Sequence, residues 1–217
     1  MDVSASKPGC VGSYFGLPLA PCMSSVPVGS ATCTATRINR SLREGETANV
    51  TLPPRDAYFL MIYLENGLHA DIDANGGSTE PRHYGVGAVC LVDLRAGVAI
   101  RLHCSLHSLA VVIPKALLSE VEAIRSAGAG RLSVPPRLVC RRGEADPVIA
   151  SIASVLLSLF ERADTSSTTM FRHLATAICA HLLHNFSAPP DTASKGADAG
   201  TSLSRLDDDD RLTSDHG

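Results

Sequence analysis

The chain has 217 residues, 45% of them apolar, enough for one domain with a sizeable core. Its formal charge is −3, from 19 basic and 22 acidic residues, which leaves no electrostatic footprint for nucleic acid or an anionic membrane. Trp is absent and aromatics are few, which argues against a base-stacking surface, and no apolar run approaches the ~18 residues of a membrane span.

Residues 1–33 are rich in Ser, Gly, Pro and Cys and lack a sustained period, so composition predicts a flexible N-terminal arm. Within it, "YFGLPLAPCM" has an apolar centre and ends in Leu-Ala-Pro-Cys. Only Lys7 precedes it and Pro18 and Pro21 interrupt it, which disfavours an export signal. The seven cysteines (Cys10, Cys22, Cys33, Cys90, Cys104, Cys140 and Cys179) are odd in number and widely spaced, with no C-x-x-C pair. The expectation is reduced thiols in a cytoplasmic protein, some of them in the core.

Residues 34–113 read as strands. "TATRINRS" (34–41) alternates and suits a sheet edge, and "TANVTLPP" (47–54) stops on a double proline. "AYFLMIYLE" (57–65) is almost wholly apolar, as in a strand covered on both faces. "LHADIDANGG" (68–77) puts Leu68, Ala70, Ile72 and Ala74 on one face and His69, Asp71 and Asp73 on the other. It ends in an Asn75-Gly76-Gly77 hairpin turn. "RHYGVGAVCLVDL" (82–94) holds another strand, and "VAIRLHCSLHSLAVVI" (98–113) one long or two short ones. Short strands at near-regular spacing predict a small barrel or sandwich.

Residues 114–186 turn helical. "PKALLSEVEAIRSAG" opens on Pro114 and closes at Gly128. Asp146 is placed to cap a helix whose first residue is Pro147. Ile149, Ile152, Leu156, Leu159 and Phe160 then form one apolar stripe, and Phe171, Leu174, Ile178, Leu182 and Phe186 another. Two such stripes suit an antiparallel helix pair. Residues 187–217 are poor in apolar side chains and carry the run Asp207–Asp210, which predicts a disordered acidic tail.

Around the strand at 98–113, His103, Cys104 and His107 lie within five positions. On an extended strand the cysteine faces away from the two histidines, which are themselves about 13 Å apart, so a metal site is not expected unless the chain bends. His181 and His184 are spaced to share a ligand, but such histidines are more often the polar side of an amphipathic helix. No Ser-His-Asp or phosphate-loop signature occurs.

Three stretches together point to a family. "LPPRDAYFLMIYLENGLHADIDANGG", "YGVGAVCLVDL" and "SLAVVIPKALL" resemble the N-terminal regulatory domain of AraC/XylS-type bacterial transcription regulators. The matching positions run from Leu52 to Tyr58, Gly87 to Leu94 and Ser108 to Leu118. "DPVIASIASVLLSLFE" and "HLATAICAHLLHNF" are similar to the family's closing helices, and the resemblance spans roughly residues 34–186.

The resemblance implies an α+β chain: a cupin-like β-barrel or sandwich at 34–113, then a helical dimerisation subdomain at 114–186. The expected function is regulatory: effector binding, homodimerisation, or both. Polar candidates for an effector pocket inside the barrel are His69, Tyr84, Arg101 and His103. The candidate dimer-forming positions are Ile149, Ile152, Leu156, Leu159, Phe171, Leu174, Ile178 and Leu182.

The family's DNA-binding module of two helix-turn-helix units has no counterpart in the residues after Phe186. DNA binding by this chain alone is therefore not expected, and the chain reads as a truncated or stand-alone relative. A partner role in mixed dimers with full-length relatives is one alternative, and a metal-dependent cupin enzyme is the other. Metal cupins carry a His-x-His pair that this sequence lacks, so no enzyme activity, catalytic residue, metal or other cofactor is expected.

Overall fold

The computed structural model describes residues 9–73, 75–127, 136–162 and 165–188. Ten strands and three α-helices follow one another along these residues. The strands are β1 (Cys22–Ser25), β2 (Cys33–Arg40), β3 (Ala48–Leu52), β4 (Ala57–Tyr63), β5 (Gly67–Asp71), β6 (Arg82–Tyr84), β7 (Ala88–Asp93), β8 (Val98–Leu102), β9 (Leu106–Pro114) and β10 (Arg142–Ala145). The helices are α1 (Lys115–Ser126), α2 (Pro147–Phe160) and α3 (Thr165–Asn185).

Two antiparallel sheets make the β-domain. One has six strands in the order β1-β2-β9-β4-β7-β10, the other four in the order β3-β8-β5-β6. This mixed architecture, with two packed antiparallel sheets followed by helices, is compatible with the cupin-like arrangement expected from sequence.

Strand β4 explains how the layers are built. All seven of its residues are buried, and successive side chains face opposite ways. Phe59, Met61 and Tyr63 point between the sheets, while Tyr58, Leu60 and Ile62 point to the helices. β9 divides in the same way, with Ala110 and Val112 on the inside and Leu109, Val111 and Ile113 toward the helices. The six-stranded sheet therefore has two apolar faces, and the second sheet and the helices cover one each.

That demand for cover decides what the helix stripes do. Ile149, Leu156, Leu159, Phe171, Ile178 and Leu182 are buried in the core against the sheet, and Ile152 and Leu174 pack partly buried against the same cluster. The eight positions expected to form a dimer face are thus occupied by packing within the chain. The apolar side chains α2 leaves exposed are Val148 and Val155.

The stretch 98–113 takes the two-strand alternative, with a bend at residues 103–105. Two further expectations differ. β2 is not an edge, because β1 pairs along one side of it and β9 along the other. Residues 9–33, expected as part of a flexible arm, are packed. Gly12–Phe15 form a 3-10 turn, and Val11 and Phe15 are buried in the core between the sheets. They lie in a stretch broken by Gly and Pro, so no period revealed them.

The same segment corrects the thiol reading. Cys10 and Cys22 form a disulfide, with Cα atoms 6.1 Å apart: Cys22 pairs with Thr36 on β2, and Val11 N–H, next to Cys10, donates to the same Thr36 hydroxyl. Cys33, Cys90, Cys104, Cys140 and Cys179 are free. At the other end, Ser187 bridges Leu138, and Ala188 N–H donates to the Arg137 carbonyl, so residues 187 and 188 belong to the packed domain. The remainder of the expected tail, including Asp207–Asp210, lies outside the described residues.

Candidate functional site

Between the sheets lies a small cavity lined mainly by apolar side chains, among them Val50, Leu52, Phe59, Met61, Val92, Val98 and Ile100. Phe15 closes part of it from the 3-10 turn. Its free space is about 20 Å³, on the order of one water-sized sphere. The lining also includes four residues with chemistry to offer: Tyr63, His69, Cys90 and Arg142.

His69 stands on β5, only 3% exposed. The Tyr63 hydroxyl and His69 Nε2 form a short hydrogen bond, and the two rings lie nearly parallel, 15° apart. Tyr84 stacks on both: its ring centroid is 4.2 Å from that of His69 and 4.6 Å from that of Tyr63. The Tyr–His pair is thus sandwiched on one side by a third ring, with an offset geometry aromatic pairs favour. The other ring nitrogen of His69, Nδ1, is buried and has no hydrogen-bond partner among the described residues.

Electrostatics keep this cluster neutral. Burial pulls the His69 imidazole down to about 4, opposed by Asp71 and reinforced by Arg142 and His103. Burial pushes the Tyr63 phenol well up, and raises Tyr84 to about 12 and the Cys90 thiol to about 11. The one cation in the lining, Arg142, is paired with the Asp71 carboxylate on β5. That ion pair ties the edge strand of the six-stranded sheet to the smaller sheet.

Arg142 reaches this position through a bulge. The pairing of β10 with β7 shifts register between Arg142 and Glu144, and Gly143 between them adopts φ +77°. A β-carbon there would lie 3.5 Å from the Tyr84 ring and in a backbone region that L side chains rarely adopt. Arg142 was not singled out from sequence; the signal available was "RRGEA", a glycine inside a short polar strand.

The four residues expected to line an effector pocket part company. His69 lines the cavity and Tyr84 stacks behind it. Arg101 does not reach the interior: its strand neighbours Ile100 and Leu102 take the inward positions, and its Nε donates to Asn49 Oδ1 at 3.1 Å. His103 lies in the bend after β8 and is not part of the lining, although its Nε2 is buried without a partner among the described residues.

The other histidine candidates are also separated. Cys104 Sγ accepts from the Leu68 N–H at 3.1 Å, and His107 Nδ1 meets Glu65 Oε1 at 2.7 Å. No group of three His, Cys, Asp or Glu side chains among the described residues is arranged to hold a metal ion. His181 pairs with Asp146 rather than with His184. Its Nε2 lies 2.7 Å from Asp146 Oδ2, and Asn185 Nδ2 lies 3.1 Å from its Nδ1. Asp146 Oδ1 meanwhile accepts the N–H groups of Val148 and Ile149, capping α2 as its sequence predicts.

The fold and site thus define an α+β protein whose antiparallel sheets enclose a small apolar cavity with one incomplete polar cluster. No family model matches the chain, and no curated protein does either. Among solved structures, apo ToxT from Vibrio cholerae is similar at a TM-score of 0.40 and 16% identity, covering 66% of this chain and 54% of that one. An oxalate decarboxylase from Bacillus subtilis gives 0.27 and 11%, covering 54% and 30%. Another from Lactobacillus farciminis, in a formate complex, gives 0.26 and 11%, covering 45% and 31%. The chain spans about half of ToxT and less than a third of the decarboxylases, and likeness at these scores defines neither family nor function. No helix among the described residues is long and apolar enough to cross a membrane.

Proposed function

We propose that this chain is a regulatory domain of the AraC/XylS type, which binds a small effector between its sheets and self-associates through its helical layer. The observation that carries the reading is the short path from cavity to helix. Arg142 lines the cavity, and Asp146, four residues on, caps α2. A ligand packed against the Arg142 side chain bears on β10, and β10 runs directly into the first turn of α2. The alternation along β4 supports the same coupling, since the strand that lines the cavity also carries the helices on its other face.

Binding rather than catalysis fits the chemistry of the lining. The thiol and phenols there are held protonated by burial, so none is an activated nucleophile near neutral pH. The association surface is the exposed side of α2, where Val148 and Val155 stand among Ser151, Ser154 and Ser158 and the helix carries no charged residue. On this reading the described residues regulate and do not themselves contact DNA.

Size-exclusion chromatography with light scattering tests the association. The expected result is a dimer at high micromolar concentration, and a monomer for Val155→Glu with an unchanged circular dichroism melt. A wild-type chain that stays monomeric at that concentration overturns self-association.

A further inference from the structure

The incomplete cluster around His69 specifies what kind of molecule the cavity takes. A buried polar atom without a partner loses its hydration with nothing in return, and native interiors seldom leave one. His69 is 97% buried by its 3% exposure, lines the cavity, and keeps Nδ1 unpartnered among the described residues.

The chemistry of the Tyr–His pair decides whether Nδ1 donates or accepts. The Tyr63 hydroxyl bonds His69 and makes no other hydrogen bond among the described residues. If the phenol donates to Nε2, the neutral imidazole carries its proton on Nδ1, and that donor and the phenol lone pair are left open. If Nε2–H donated instead, both the phenol proton and the Nδ1 lone pair would be left open. Each arrangement leaves one donor and one acceptor unused, but the phenol is the better donor and the imidazole nitrogen the better acceptor, so O–H to Nε2, with the proton on Nδ1, is the arrangement the pair favours.

The rest of the lining sets charge and polarity. Arg142 is already neutralised by Asp71, and the walls are Val, Leu, Ile, Met and Phe. An anion would have to break that ion pair, and a cation would meet an N–H and a guanidinium. We propose that the cavity binds a small uncharged apolar molecule bearing one acceptor oxygen of carbonyl type, received by His69 Nδ1–H. This rests on the reading of the cavity as the effector site and adds its ligand class. Admission of more than a water-sized group requires the wall to yield. Met61 is the flexible part of that wall, and Phe15 is carried on a 3-10 turn outside the strand ladders.

The test is an NMR titration of the full-length protein with four near-isosteric probes: cyclopentanone, methylcyclopentane, cyclopentanecarboxylate and cyclopentylammonium. Cyclopentanone should bind tightest, by roughly three- to tenfold over the hydrocarbon, the worth of one net hydrogen bond. In His69→Phe the ketone and hydrocarbon should become equal. Imidazole nitrogen shifts of the wild type should place the His69 proton on Nδ1, which keeps the proposal testable if the variant does not fold. Equal binding of ketone and hydrocarbon by wild type, preference for either ion, or a proton on Nε2 overturns the ligand class while leaving the cavity as a binding site. If none of the four probes perturbs cavity resonances, the ligand class and the effector reading fall together.

Discussion

Two histidines are paired inside this protein, and they differ in whether their hydrogen bonds close. His181 meets Asp146 at one ring nitrogen and Asn185 at the other, and Asp146 spends its second oxygen on the start of α2. Every group in that cluster has a partner, and the cluster fastens α2 to the end of α3. His69 meets Tyr63 at one nitrogen and no partner among the described residues at the other, although it is the more deeply buried of the two. A closed polar cluster is sufficiently explained by architecture. An open one beside a cavity asks for something from outside the chain, and for that reason the binding proposal centres on His69.

The comparison is broken most directly at the closed site. Asp146→Ala removes the helix cap and leaves His181 Nε2 without its partner, and should cost about 3 kcal/mol in urea unfolding. A loss below about 1 kcal/mol would show that the clasp is incidental to the fold. Asp146→Asn retains a capping oxygen and should recover most of the difference.

The open site is sharpened by pH. The folded chain holds the His69 pKa at about 4, below its ordinary 6.5, because burial disfavours the imidazolium. Asp71 opposes that shift, while Arg142 and His103 reinforce it. Below pH 6.5 the unfolded chain takes up a proton that the folded chain refuses. Stability from this group is therefore full above 6.5 and falls as pH drops toward 4, by up to about 3 kcal/mol. The measurement is unfolding free energy between pH 7 and pH 4 in wild type and His69→Phe. The variant should lose less stability over that window, and parallel curves would mean that His69 does not titrate as its burial requires.

The smallest effect belongs to a histidine at neither site. His107 pairs with the exposed Glu65 at the surface, and His107→Ala should change stability by no more than about 0.5 kcal/mol. A larger change would show that the stretch from His103 to His107 does more than join two strands.

How far the sequence could be read follows from how local each feature is. The apolar run at 57–65 announced a strand covered on both faces, and β4 alternates between the two cores. Asp146-Pro147 announced a helix start, and the carboxylate caps it. His69 and Tyr84 stood out as polar residues on strands, but Tyr63 was absorbed into an apolar run. Arg142 sat in a stretch too short and polar to read as a strand, and only its pairing with β7 places it at the cavity.

The sequence by itself determined the run of strands from β2 to β9, the helices after them, the Asp146 cap and the apolar faces, but not β1 or β10, because periodicity and turn chemistry act over a few residues. Only the tertiary structure decided which partner covers each face. The helix stripes went to the chain's own sheet because that sheet has a second apolar face to bury. The N-terminal segment went to the core because Val11 and Phe15 find cover there that no local pattern records. His69 acquired its character in the same way: a tyrosine from β4, a second from β6 and an arginine from β10 surround it, and none of those neighbours is visible from β5 alone.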